Sequence, residues 1–214
     1  MPASNHRTRP ARRVRMTGAQ RRAQLIEVAR PVFAEHGRDA ASVEEIAARA
    51  DVSKPVVYEH FGGKDGLYGA VVDGEVQVLL DGIRAALDDP GARSRELLER
   101  ATLALLDYIE QRPDGFRILS RGSGVGQDAS GSFATILSDV ANQVTGLLAA
   151  EFTRRGLDAR TAPLYAQMLV GMVAMTGQWW LDERRPRKQE VAAHLVNLAW
   201  HGLSGMEARP RLGR

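Results

Sequence analysis

The side chains best suited to chemistry in this 214-residue chain fall in one short run, Ser53, Lys54, Tyr58, His60 and Lys64, with Ser42 shortly before it. Hydroxyls and rings that can bond base edges, alternating with ammonium groups that reach phosphates, are the chemistry of a nucleic-acid contact. Catalysis finds no comparable cluster. The chain has no cysteine, and its five histidines are scattered. His194 and His201 share a helix face but lie too far apart to hold one metal. Glu44-Glu45 and Asp88-Asp89 fall at helix ends or turns, and no glycine-rich phosphate loop follows a strand. The sequence therefore predicts no enzyme, no catalytic residue, no metal site and no cofactor.

The elements that must position these residues are two short helices and a turn. Ser42 and Glu45 have capping-box spacing and start a helix through Val43, Ile46 and Ala47. Ala50-Asp51-Val52 breaks it. Ser53 is placed to cap a second helix, with Pro55 in the first turn, where a missing N–H costs little. This is the anatomy of a helix-turn-helix, whose second helix enters the major groove with its N-terminal residues toward base edges. The candidate contacts are Ser42, Ser53, Lys54, Val56, Tyr58, His60 and Lys64, while Ile46, Val57 and Phe61 have the spacing of a small core.

Charge sharpens the picture. The net charge is only +3, yet seven arginines (Arg7, Arg9, Arg12, Arg13, Arg15, Arg21 and Arg22) precede the first acidic residue, Glu27, leaving −4 for everything after. Residues 1 to about 16 lack apolar periodicity and read as a disordered basic arm. Arg12, Arg13 and Arg15 could follow phosphates or enter an adjacent minor groove. No apolar run approaches the roughly 20 residues of a membrane span, and the arginine-rich start lacks a secretory signal's apolar segment. A cytoplasmic protein with no membrane partner is the expectation.

The stretch from Gln20 to Leu67 resembles the N-terminal domain of the TetR family of bacterial transcriptional regulators. The match runs through Phe33-Ala34-Glu35-His36-Gly37, Ser42-Val43-Glu44-Glu45-Ile46-Ala47, Val52-Ser53-Lys54-Pro55-Val56-Val57-Tyr58-Glu59-His60-Phe61 and Lys64-Asp65-Gly66-Leu67. It departs from the family at Asp51, where a turn glycine is usual and a short polar side chain tolerates the left-handed backbone. It departs again at Pro31, which should kink the first helix by removing the bond to the Glu27 carbonyl.

Beyond Lys64 the pattern is helical throughout, so the fold class is all-α. The expected domains are a basic arm (1–16), a three-helix helix-turn-helix domain (17–66), a larger helical effector-binding and dimerisation domain (67–206) and a tail (207–214). Apolar residues from Leu67 to Leu87 recur at three- and four-residue steps, giving one long helix that ends at Asp88-Asp89-Pro90-Gly91. Leu97 to Ile109 mark the next helix, which Pro113-Asp114-Gly115 should stop. Phe116 to Arg121 forms at most a short helix, and Gly122 to Gly131 has linker chemistry. Phe133 to Phe152 marks a helix closed by Gly156. Residues 161–182 are apolar on nearly every side, and 188–203 follow them. A helix apolar all round needs cover on all sides, most easily a second subunit.

The resemblance implies the same homodimer on a palindromic operator, with the last two helices at the interface. Tyr165, Trp179, Trp180, Leu195 and Trp200 are the candidate interface residues. It also implies a small-molecule effector that swings the long connecting helix. Candidate effector-binding residues are Met168, Met172 and Met175, spaced along one face with adaptable thioethers, and opposite them Leu103, Leu106, Phe116, Leu119, Phe133, Leu137 and Val140. Ordinary core packing is the competing account of each. Arg117 and Arg121 are candidates for the pocket mouth. The runs Lys54–Lys64, Ala162–Gln167 and Gln178–Leu181 further resemble actinobacterial TetR-type regulators of fatty acid synthase genes, which implies a long-chain acyl-CoA effector and a place in lipid metabolism. The alternative is a helical small-molecule carrier or enzyme that keeps the helix-turn-helix as scaffold.

Overall fold

The structure, a computed structural model, describes residues 16–89, 91–121, 133–208 and 210–211. The expected arm apart from Met16, with Arg12, Arg13 and Arg15, and the Gly122–Gly131 stretch lie outside the described residues. Those described contain nine α-helices and no strand.

Helix α1 (Gly18–Ala40) opens on a full capping box, in which Thr17 accepts from the Gln20 amide while the Gln20 side chain accepts from the Thr17 amide. Its torsions stay helical through Pro31. The departure expected there falls instead at Gly37, with φ 76° and ψ 174°, because only glycine takes that backbone cheaply. Helix α2 (Val43–Arg49) is capped by Ser42, whose Oγ accepts from the Glu45 amide at 3.1 Å. Only that half of the expected box forms, since the Glu45 carboxylate pairs with Arg49 at 2.7 Å. Asp51 turns the chain at φ 53° into α3 (Lys54–Phe61). Gly62, at φ 72°, ends α3 in the left-handed conformation that side chains resist.

Helix α4 (Lys64–Leu87) links the two halves of the molecule. Its first turns bury Leu67 and Val71 against the core of α1–α3, built on Leu25, Phe33, Ile46 and Val57. Burying each of these side chains contributes roughly 1.5–3 kcal/mol. Later turns bury Leu79, Leu80 and Ile83 against the body, so one apolar core runs from head to body. The body comprises α5 (Ser94–Gln111), α6 (Pro113–Arg121), α7 (Phe133–Arg154), a short 3-10 turn (Ala159–Thr161), α8 (Ala162–Glu183) and α9 (Lys188–Ser204). Pro113 does stop α5, but it also opens α6, a nine-residue helix whose Phe116, Ile118 and Leu119 are buried. Proline is tolerated at a first helical position for the reason already given at Pro55.

Candidate nucleic-acid interface, ion cluster and apolar cavity

Of the sequence-derived contact residues, the structure leaves Ser53, Lys54 and Tyr58 exposed together on α3, and Ser42 half-buried at the start of α2. Ser53 makes no side-chain cap, contrary to expectation. Lys54 Nζ hydrogen-bonds the Glu44 carboxylate of α2 and sits 5.8 Å from the centre of the Tyr58 ring. The bond to Glu44 holds the ammonium above its ordinary value and the Glu44 carboxyl below. The other three candidates are engaged internally. Val56 packs against the core, the backbone carbonyl of half-buried His60 accepts from Arg22 at 3.0 Å, and Lys64 donates to the Asp39 carbonyl at 2.8 Å. Lys64 thereby ties the end of α1 to the start of α4. Sequence reading missed Arg22, which also lies 4.3 Å over the Phe61 ring and clamps α1 to α3. It missed Glu44 as the partner of Lys54, a pairing across the turn that no helical period reveals.

A buried ion cluster joins this head to the body. Glu75 of α4 is 1% exposed. Its carboxylate accepts from Arg30 Nε of α1 at 2.5 Å, from Arg112 at 2.7 and 2.9 Å, and from the Tyr108 hydroxyl of α5 at 2.8 Å. Burial alone raises its pKa, but the bonds from Arg112 and Tyr108 and the nearby Arg30 charge overturn that and hold it below the ordinary carboxylate value. Burial, with Glu75's charge, pushes Tyr108 well up. Gly115 of α6 backs onto the cluster so closely that a Cβ there would lie 2.1 Å from Glu75 Oε2. The signal for Glu75 was present: it stands four residues from Val71 and from Leu79, on the buried face of α4.

Below the cluster, α4, α5, α7, α8 and the end of α9 border an apolar cavity of about 550 Å³. Its walls include Leu79 and Ile83 of α4, Leu105 of α5, Val140 of α7 and Val173 of α8. Among the effector candidates, Phe133, Leu137 and Val140 line it. Leu106, Phe116 and Leu119 are instead fully packed core, and Leu103 lies against that core without reaching the cavity. The methionine stripe faces elsewhere. Met172 packs on the core, and Met168 and Met175 are 55% and 61% exposed. Arg117 and Arg121 are not at the cavity mouth but between α1 and α6, where Arg121 donates to the Ala34 carbonyl at 2.6 Å.

The same exposed face of α8 carries Leu164 and Trp179, and α9 adds Leu198, 66% exposed. The other interface candidates differ. Trp180 is buried, its indole N–H donating to the Pro186 carbonyl at 2.9 Å, Leu195 is buried in its own chain, and Trp200 lines the cavity. Half-buried Tyr165 meets Phe152 edge to face at 5.4 Å. Among the described residues no His, Cys, Asp and Glu side chains group as a metal site, and no helix is long and apolar enough to cross a membrane.

Comparison with known proteins agrees with this architecture. Residues 25–71 match the family model described as bacterial regulatory proteins, tetR family, and residues 82–213 match that of the tetracyclin repressor-like C-terminal domain. The chain is 34% identical over 191 residues to the HTH-type transcriptional activator FasR of Mycolicibacterium smegmatis, covering 89% of this chain and 86% of that one. A TetR-like transcriptional regulator from Rhodococcus sp. RHA1 superposes with a TM-score of 0.72 at 26% identity, over 90% of this chain and all of that one. The fatty acid degradation regulator FadR from Bacillus halodurans shares the fold, with a TM-score of 0.68 at 20% identity over 84% of this chain and 98% of that one.

Proposed function

The chain belongs to the TetR family of bacterial regulatory proteins and is a DNA-binding transcriptional regulator, and from that premise we propose how it is controlled. It acts as a homodimer on a palindromic operator, Ser53, Lys54 and Tyr58 of each copy reading the site, with an amphipathic long-chain ligand of the acyl-CoA class in the cavity setting operator affinity. The reading head spans 17–66, preceded by a basic arm that follows the phosphates, and the ligand-binding and dimerisation body spans 67–206.

One observation carries this reading: α4 walls the cavity with Leu79, Ile83 and Leu87 and, from its other end, packs Leu67 and Val71 into the reading head. A ligand that prefers one position of α4 therefore prefers one spacing of the two heads, and operator affinity must respond reciprocally. The cavity's volume sits in the roughly 300–1,000 Å³ range of small-molecule sites. The uncovered Leu164, Met168, Met175, Trp179 and Leu198 form the apolar face that a second copy covers, and FasR, the similar activator, supports the regulatory role.

The test is operator affinity with and without hexadecanoyl-CoA, on an operator selected from random DNA by the full chain. We expect a change of about 5- to 150-fold, the usual span of allosteric coupling. Unchanged affinity at saturating ligand would overturn the acyl-CoA assignment.

A further inference from the structure

Thr102 stands in the cavity wall and is 1% exposed, and its Oγ1 is the one buried side-chain nitrogen or oxygen without a hydrogen-bond partner among the described residues. An isolated hydroxyl in apolar surroundings weakens a fold, where a valine of the same shape would not.

Position gives the orphan hydroxyl a meaning. The cavity's polar lining gathers at one end, at Asp88, Asp89 and Ser94 where α4 gives way to α5, and at Glu151, Arg154 and Arg155 of α7 and the turn after it. Asp88, Arg154 and Arg155 are exposed, so this end is the mouth. Thr102 lies eight residues along α5 from Ser94, roughly 12 Å inward at the helical rise. The buried side chains of Phe133, Ile136 and Leu105 mark this as the deep end.

We propose that the Thr102 hydroxyl is a recognition point, and that the cavity takes a chain bearing one hydrogen-bonding oxygen about 12 Å in from the head group at its mouth. This rests on the effector-cavity reading above and specifies it: the preferred ligand is an oxygenated chain, a hydroxy- or keto-acyl group substituted roughly ten carbons from its head, not a plain alkyl chain. A plain chain fills the same walls and leaves Oγ1 idle. An oxygen at that depth satisfies it once the side chains that close over Oγ1 in the ligand-free protein give way.

The test compares hexadecanoyl-CoA with 10-hydroxyhexadecanoyl-CoA as calorimetric probes of the full chain. Thr102→Val should weaken the hydroxylated probe by about 3- to 10-fold, the span of one net hydrogen bond, and leave hexadecanoyl-CoA unchanged or tighter. Thr102→Ser should retain the preference. In the ligand-free protein Thr102→Val should melt about 2–4 °C higher, because it removes an unmet polar group. A hydroxylated probe indifferent to Thr102→Val overturns the inference and leaves the cavity reading standing, as does a lowered melting temperature, which would mean that the hydroxyl already has a partner. If neither probe binds wild type, the cavity reading fails and this inference falls with it.

Discussion

The reading head and the body bury their apolar residues to different ends. In the head, Leu25, Phe33, Ile46 and Val57 are almost fully buried in one core, and Arg22 and Lys64 lock the helices from outside. In the body, α4, α5, α7 and α8 stand apart around about 550 Å³ of unfilled volume. A close-packed unit has one arrangement, whereas walls around a cavity have several of similar energy. The head is built to hold its shape while the body is built to change, and the Glu75 cluster is where the two meet.

The strongest way to break this contrast is at that junction. Glu75→Gln leaves Arg112 facing a neutral group and Arg30 with Glu27 as its one remaining carboxylate, which should cost about 3 kcal/mol in chemical denaturation, the low end for a broken buried pair because Arg112 is partly exposed and Arg30 keeps a partner. Since the folded-state pKa of Glu75 is lowered, its contribution is complete above the unfolded carboxyl value and drains away as pH falls through the folded one. Acid titration of stability should therefore slope less steeply below about pH 4 in the variant than in wild type.

Matched truncations sharpen the comparison at intermediate size. Ile46→Ala in the closed head should cost about 2–3 kcal/mol, because it opens a cavity at a fully buried site. Leu137→Ala, on a wall already facing space, should cost nearer 1 kcal/mol. Equal losses in equilibrium denaturation would mean that the body is as tightly specified as the head.

The effects at the surface are on binding and smallest on stability. Lys54→Ala and Tyr58→Ala should each weaken operator binding by about 1–3 kcal/mol while leaving the melting temperature in place. Lys54 is expected to give the smaller loss, since reaching DNA means releasing Glu44. A fall in melting temperature matching the loss of binding would turn these two from reading residues into scaffold.

Legibility in the sequence divides along the same line. The head could be read because its signals are local: Ser42 caps three residues ahead, Asp51 turns the chain with its own torsion, and Lys54 and Tyr58 share a face by helical period. Even there, period did not show that Val56 packs on the core or that Lys64 is held by the Asp39 carbonyl. In the body, spacing put Met168, Met172 and Met175 in one group, whereas Met172 packs on the core and the other two are exposed, because a helix's apolar face carries no address. The cavity arises among helices distant in sequence, and the Glu75 cluster draws partners from 33 to 45 residues away. A charged residue inside the stripe from Val71 to Leu79 was the one local sign of it.

Gly115 carries a consequence for how this sequence can change. With a Cβ there 2.1 Å from Glu75 Oε2 and 2.8 Å from the Tyr108 hydroxyl, any side chain at 115 collides with the oxygen that accepts from Arg112 and Tyr108. Substitution at 115 is thus barred until position 75 has shortened, and shortening 75 first strands Arg112 and leaves Arg30 with Glu27 alone. Neither first step is neutral, so descendants of this chain should inherit the two residues as a pair, and a protein that had lost one would be expected to have lost both.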